Sequence, residues 1–279
     1  MSRYVDRARR VLVERVKPHV PAGVWQRLRG LAPGRPEPLS AREQRAQRLR
    51  AMDLTELAEE FGSDKWGVHR YTPHYERHFT PFRDRAALVL ELGIGGYARE
   101  KQGGASLKMW KWFFPRAEIV GVDIEDKSFV DQKRITSYLG SQTDRALMEH
   151  IVGEHGAPMV VIDDGSHNPQ DVADSFAILF PMLADDGLYV VEDTQTSYWP
   201  QWGGNLDPEE PSPSMALVRR LLDGLNHEEF LDAGYESSYT DRHVVAVHCY
   251  HNLVVIEKGE NLEGTNKRLA NRKWYRENS

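Results

Sequence analysis

The chain has 279 residues, 40% of them hydrophobic and 28% charged, with a formal net charge of -6. That length suits one doubly wound α/β domain with an appendage, and no apolar run approaches the roughly 20 residues of a membrane span. The single cysteine, Cys249, excludes an intramolecular disulfide and a cysteine-rich zinc site.

The first 50 residues hold 13 Lys or Arg against 4 Asp or Glu. The start carries no apolar stretch followed by a cleavage site, so no export signal is read and a cytoplasmic location is expected. A basic segment can meet nucleic acid, anionic lipid or an acidic partner. The plainer reading is a solvated helical extension through which copies of the chain associate, with no nucleic-acid partner. Val5, Ala8, Leu12 and Val16 fall on one helical face, and a second short helix carries Val24, Trp25, Leu28 and Leu31. The Pro-rich run at 32–39 reads as a linker. Ser40 with Glu43, and Asp53 with Glu56, have the spacing of capping boxes, which predicts helices from about 41 and 54. Residues 1–60 are therefore expected to form a basic helical extension, and 61–279 a catalytic domain.

From residue 86 the pattern changes. Segments 86–93, 117–123, 158–164 and 187–193 are short apolar runs containing or ending in acids, as expected of fully buried parallel strands. Between them, 106–114, 144–152 and 171–183 have helical patterns, and 214–230 reads as a further helix covering the sheet. The alternation predicts a doubly wound parallel sheet. Segments 243–250 and 252–258 stand too close for a parallel crossover, so they form an antiparallel pair.

The first strand runs into E-L-G-I-G-G-Y, with Gly93, Gly95 and Gly96 at the turn, and the second ends at Asp123. Glycines after a first strand let the backbone approach a ligand, and an acid ending the second can accept from ribose hydroxyls. Glycine is equally the residue of any turn needing positive φ. The spacing G-x-G-G differs from the dinucleotide fingerprint, and the preceding acid, Glu91, suits a cationic ligand. With the reversed terminal strand, this pattern resembles the class I S-adenosylmethionine-dependent methyltransferases from about residue 60 to the end. The resemblance implies a mostly parallel seven-stranded, Rossmann-like sheet. It also implies that Glu91, Gly93 and Gly95 approach the methionine part of S-adenosyl-L-methionine, Asp123 the ribose and Gln142 the adenine side.

Two later strands end in D-D-G-S-H (163–167) and V-E-D-T (191–194). Ligands of such sheets bind outside the carboxyl ends of the strands. Asp163, Asp164, His167, Glu192 and Asp193 should therefore converge on one edge of the pocket. Carboxylates crowded together repel unless a cation joins them, and oxygen ligands favour magnesium or manganese. His167 has the imidazole that can take a proton near neutral pH, though a capping or metal-ligand histidine fits the spacing as well.

These two motifs, with F-G-S-D-K-W-G-V-H-R-Y-T-P-H-Y-E-R-H-F at 61–79, resemble the metal-dependent sugar O-methyltransferases that finish macrolides. By that resemblance Asp164, Glu192 and Asp193 bind magnesium, His167 is the general base, and Lys65, Tyr71 and Asp163 lie near the cofactor. Tyr198, Trp199 and Trp202 then stack on a sugar face, or serve as lid or core aromatics. A narrower likeness is to the mycobacterial-type enzymes that methylate mannosides in methylmannose polysaccharide synthesis. The acceptor is expected to be an oligosaccharide or other sugar-containing molecule. Catechol-type O-methyltransferases resemble the site too, but their third ligand is typically Asn where this chain has Glu192 and Asp193 together. An NAD-dependent dehydrogenase and a non-enzymatic cofactor-binding scaffold are the remaining alternatives.

Overall fold

The computed structural model describes residues 38–97, 101–232 and 234–265. The helices expected within 1–17 and 24–31, and most of the 32–39 linker, lie outside the described residues. The chain divides into two compact units between Ala46 and Gln47. In the first, Ser40 and Glu43 form the expected reciprocal cap, with the Ser40 amide donating to Glu43 Oε2 at 2.8 Å and the Glu43 amide donating to Ser40 Oγ at 3.3 Å. Helix α1 (Ala41–Ala51) begins there.

The second unit carries the sheet. Helix α2 (Leu54–Phe61) starts at the Asp53–Glu56 capping box and stops at Gly62, whose φ of 70° only glycine adopts freely. Its Leu54, Leu57 and Ala58 are buried, as its amphipathic spacing requires. Helix α3 (Thr72–Phe79) follows, then β1 (Leu88–Leu92), α4 (Ala105–Phe113), β2 (Glu118–Asp123), β3 (Ile135–Leu139), α5 (Arg145–His155), β4 (Pro158–Asp163), α6 (Pro169–Leu179), β5 (Leu188–Glu192), α7 (Pro213–Gly224), α8 (Tyr239–His243), β6 (Val244–Tyr250) and β7 (Leu253–Lys258).

The seven strands lie in the order β3-β2-β1-β4-β5-β7-β6. The first five pair in parallel, whereas β7 runs antiparallel to both β5 and β6, as the sequence predicts. Strands β1, β4 and β5 are buried along their whole length, because helices cover both faces. One face packs against Leu57, Tyr75, Trp110 and Phe113, the other against Ile151, Phe176, Leu179 and Val218. Full burial of each such apolar side chain contributes about 1.5–3 kcal/mol, so the two layers hold the strand ends rigidly.

The strand order reverses between β1 and β4, which leaves a crevice outside their carboxyl ends. This is the switch point at which the glycine turn and the first acidic motif both emerge. Three elements were not predicted, of which α8 is only five residues long. Strand β3 has one buried residue, Ile135, and so lacks an apolar run. Helix α3, T-P-H-Y-E-R-H-F, is largely polar, yet buries Tyr75, His78 and Phe79. Helix α7 ends at Gly224, earlier than its pattern suggested, and a 3-10 turn at His227–Glu229 follows. Among the described residues, no helix is long and apolar enough to cross a membrane.

Candidate active site

Three strand ends deliver carboxylates to one place. Glu91 leaves β1, Asp164 follows β4 and Glu192 ends β5, and the ammonium of Lys65 lies among them. Lys65 Nζ is 3.2 Å from Glu91 Oε1, 2.8 Å from Asp164 Oδ2 and 2.5 Å from Glu192 Oε1. Lys65, Glu91 and Glu192 are almost completely buried, while Asp164 is partly exposed. Burial opposes the charge of Lys65, but attraction by Asp164, Glu192 and Glu91 outweighs it and holds the ammonium pKa well above its usual value. Glu192 is driven the other way for a carboxylate. Burial, then repulsion by Asp164, raises its pKa well above the ordinary range despite Lys65 and the hydroxyl of Tyr75, which donates to it. Burial also raises Glu91, whose Oε2 accepts from Ser106 Oγ at 2.7 Å.

Asp193, next in sequence, lies in a different environment. It accepts from Tyr71 OH at 2.7 Å, and His69 Nδ1 and His167 Nε2 lie 3.6 and 3.7 Å from its two oxygens. Burial works against its charge, but donation from Tyr71 and the nearby imidazoles prevail and lower its pKa. Both His167 and Asp193 have left-handed backbones, with φ of 55° and 51°, a conformation costing on the order of 1–3 kcal/mol in a non-glycine residue. Ligand atoms of Asp164, His167 and Asp193 lie within 4.8 Å of one another, and those of Glu91, Asp164 and Glu192 do likewise. Asp164 belongs to both groups.

The first group opens onto a cleft of about 690 Å³, lined by the glycine turn at Gly93, Gly95 and Gly96 together with Asp164, His167 and Asp193. Gly93 is required there: with φ at 87°, a Cβ would stand 2.1 Å from the carbonyl oxygen of Asp164. A smaller adjoining cavity, about 190 Å³, is lined by Asp123, Gln142 and Gly165. Asp123 accepts from the Ile94 amide at 2.9 Å and from Tyr97 OH at 3.1 Å, so the end of β2 is tied to the glycine turn. Gln142 accepts from the Ser166 amide at 2.6 Å and donates to Asp163 Oδ1 at 3.0 Å.

The structure thus gathers Glu91, Gly93, Gly95, Asp123, Gln142, Asp164, His167, Glu192 and Asp193 at the switch point. Lys65 and Tyr71 bind the acids from behind the cleft. Asp163 lines neither cavity; it is buried, accepting from Ser175 at 2.5 Å and from Tyr189 at 3.1 Å. Burial raises its pKa to about 6 in spite of these bonds and that from Gln142. Tyr198, Trp199 and Trp202 are each about two-fifths exposed on the turns after Asp193, and the Trp202 ring meets His167 edge-on at 5.8 Å. Sequence reasoning missed Tyr75, Tyr97, Ser106 and His69. Tyr71 and Tyr75 have the i, i+4 spacing of one helical face, the signal that could have found Tyr75 had α3 been recognised.

No family model matches the chain. Among curated proteins it is 48% identical, over 215 residues, to demethylmacrocin O-methyltransferase of Streptomyces fradiae, covering 76% of this chain and 54% of that one. It is 46% identical over 218 residues to mycinamicin VI 2''-O-methyltransferase of Micromonospora griseorubida, covering 77% and 55%. A crystal structure of a methyltransferase from the mycinamycin biosynthetic pathway, in complex with Mg, SAH and mycinamycin VI, superposes with a TM-score of 0.76 at 42% identity, over 82% of this chain and 60% of that one. Over the residues matched, the chain is similar to these O-methyltransferases and shares the fold of the mycinamycin-pathway enzyme. It spans about half the length of the curated relatives it matches. The same fold is seen in the mycinamycin-pathway enzyme with Mg and SAH alone, at a TM-score of 0.74.

The electrostatics of this site lead to two expectations. Lys65→Met leaves buried carboxylates without their cation and should cost about 3–5 kcal/mol in urea unfolding at pH 7.5, with part regained at pH 5.5 as carboxyls protonate; equal stability of variant and parent would refute the central role of Lys65. Asp163, with its folded pKa raised, contributes stability that is present below its unfolded pKa near 3.8 and lost as pH rises through about 6. The stability of the parent relative to Asp163→Asn should therefore fall by roughly 2 kcal/mol between pH 4 and pH 7. A flat difference across that window would contradict the assignment.

Proposed function

We propose that the chain is an O-methyltransferase that uses S-adenosyl-L-methionine and magnesium to methylate a sugar hydroxyl. The observation that carries this reading is the meeting of Asp164, His167 and Asp193 on the wall of the same cleft that the glycine turn lines. The relatives named above bear the corresponding activity in their names.

The donor set suits a hard divalent ion. Asp164 and Asp193 come from neighbouring strand ends and stay partly exposed, Glu192 stands beside Asp164, and the Lys65 ammonium pairs with Asp164 and Glu192 while Asp193 faces two imidazoles. Asp164, Glu192 and Asp193 would hold the magnesium, with Lys65 offsetting the remaining charge inside the protein. The nucleoside would lie across the two adjoining cavities, its ribose at Asp123 and its adenine side by Gln142, with Glu91, Gly93 and Gly95 towards the methionine part. Asp163 acts here through Gln142, which it orients, and Lys65 and Tyr71 act through the acids they bind.

When bound, the metal acidifies and anchors an alcohol, and S-adenosyl-L-methionine supplies a methyl group on a positively charged sulfur. The remaining work falls to the chain. His167 takes the proton of the acceptor hydroxyl, and Asp193, 3.7 Å from its Nε2, stabilises the imidazolium that forms. Trp202 packs against the edge of that ring and fixes its direction. Tyr198, Trp199 and Trp202 offer apolar faces on which a sugar ring can stack. The basic N-terminal extension would serve association of copies, separate from the catalytic domain, and the enzyme would work in the cytoplasm.

The test is methyl transfer from labelled S-adenosyl-L-methionine to a panel of macrolide glycosides, rhamnosides and mannosides. Activity should vanish in EDTA and return with magnesium. His167→Ala should lower turnover by about 10²- to 10⁴-fold while leaving cofactor affinity within a few-fold. Full activity in EDTA would remove the metal from the proposal, undiminished turnover in the variant would remove the base, and methylation of catechol in place of any glycoside would replace the acceptor class.

A further inference from the structure

A second polar cluster lies on the outer part of the sheet, made by residues that the proposed chemistry does not use. His78 comes from α3, His248 from the edge strand β6 and Glu257 from β7. In the hairpin register Ala246 faces Glu257 and His248 faces Val255, so His248 and Glu257 project from the same face as diagonal neighbours. That face also carries Leu253 and Val255, which pack in the core layer shared with α3. The helix therefore brings His78 down onto the pair.

The geometry is that of a ligand set. His248 Nε2 is 2.8 Å from Glu257 Oε1, His78 Nδ1 is 3.7 Å from the same oxygen, and all three ligand atoms lie within 4.8 Å of one another. Two ligands on a tetrahedral zinc ion, bound at about 2.1 Å, stand about 3.4 Å apart, so the two measured separations bracket the required value. The other ring nitrogen of His78 is 2.8 Å from Tyr250 OH. With Nε2–H donating to that hydroxyl, Nδ1 keeps its lone pair free and aimed at Glu257, the orientation a metal-binding histidine needs. Tyr250 is fixed in turn by His74, stacked on it at 3.8 Å. His78 is buried, and burial, then repulsion by His248, lowers its pKa and favours the neutral imidazole. His248 and Glu257 are partly exposed, which opens the cluster to solvent.

We propose that His78, His248 and Glu257 form a binding site for a transition metal of the zinc class, distinct from the magnesium site of the proposed methyl transfer. Two imidazoles with one carboxylate are borderline-soft donors, unlike the oxygen-rich set in the cleft. A metal here would clip the terminal hairpin to α3, the helix that begins beside Tyr71 and carries Tyr75, the two hydroxyls that reach Asp193 and Glu192.

The test is calorimetric titration of the full chain with Zn²⁺ alone, in the parent, His248→Ala, Glu257→Gln and Asp164→Asn. One equivalent should bind in the parent, persist in Asp164→Asn, weaken at least 100-fold in His248→Ala and at least 10-fold in Glu257→Gln. The last two positions are partly exposed, so both variants should keep the parent's far-ultraviolet circular dichroism. Imidazole resonances give an independent readout: Zn²⁺ should shift those of His78 and His248 in the parent and in Asp164→Asn. Zinc binding that survives both hairpin substitutions, or that disappears in Asp164→Asn, would overturn the site.

Discussion

The contact between the Lys65 ammonium and the carboxylates of Glu91, Asp164 and Glu192 is the constraint around which the site is built. Three parallel strands ending in acids at the switch point place like charges side by side, with Glu91 and Glu192 almost completely buried. Such an arrangement is untenable without a cation, because burial and mutual repulsion both disfavour ionisation. Lys65 comes from the segment between α2 and α3, outside the sheet. Its reach inward therefore ties that segment across the carboxyl ends of β1, β4 and β5. Through Asp164 the same ion cluster reaches the wall of the cleft.

Asp164 connects the two halves of this arrangement. One of its oxygens faces Lys65 in the interior, while the residue also lines the cleft with His167 and Asp193. The loop that places it is held by close backbone contact: the Asp164 amide donates to the Leu92 carbonyl at 3.0 Å, and its own carbonyl fills the space that a side chain at Gly93 would need. Strain is concentrated nearby. His167 and Asp193 both adopt left-handed conformations, and their side chains face one another. Backbone held in such conformations by well-packed surroundings is a recurrent feature of sites that fix side chains for chemistry.

Much of this was legible in the sequence because it was written in runs of apolar residues. Strands buried on both faces are continuous Val, Ile and Leu segments, so β1, β2, β4 and β5 could be read, along with the acids near their ends and the terminal antiparallel pair. The elements that escaped are those whose burial is polar or partial. Strand β3 shows one apolar residue to the core, and α3 hides Tyr75 and His78 behind a charged pattern. Residue-level partners were less legible still. Asp163 and Asp164 are adjacent and chemically alike, yet alternation along β4 sends the first into a pocket of Ser175, Tyr189 and Gln142 and leaves the second at the cleft. Nor does a lysine in a loop announce that it will be buried between three acids 26 to 127 residues away, since that depends on the closed fold.

The adjacent pair Glu192 and Asp193 shows how one helix can give two neighbouring acids different characters. Tyr71 sits at the start of α3 and Tyr75 one turn later, so their hydroxyls emerge on the same side about a helical pitch apart. Tyr75 binds Glu192 and Tyr71 binds Asp193. The local surroundings then separate the two carboxyls. Glu192, deep beside Asp164, is pushed towards the protonated form, whereas Asp193, between two imidazoles and a phenol, is held ionised. Environments that drive paired titratable groups in opposite directions are how a single site comes to hold groups in distinct protonation states. Here the separation needs no difference in chemistry between the residues, only the end of β5 passing from the interior to the cleft within one peptide unit. A metal entering from the cleft would meet the ionised member first and would then favour ionisation of the other, so occupancy and the charge of the interior are linked through the same helix turn.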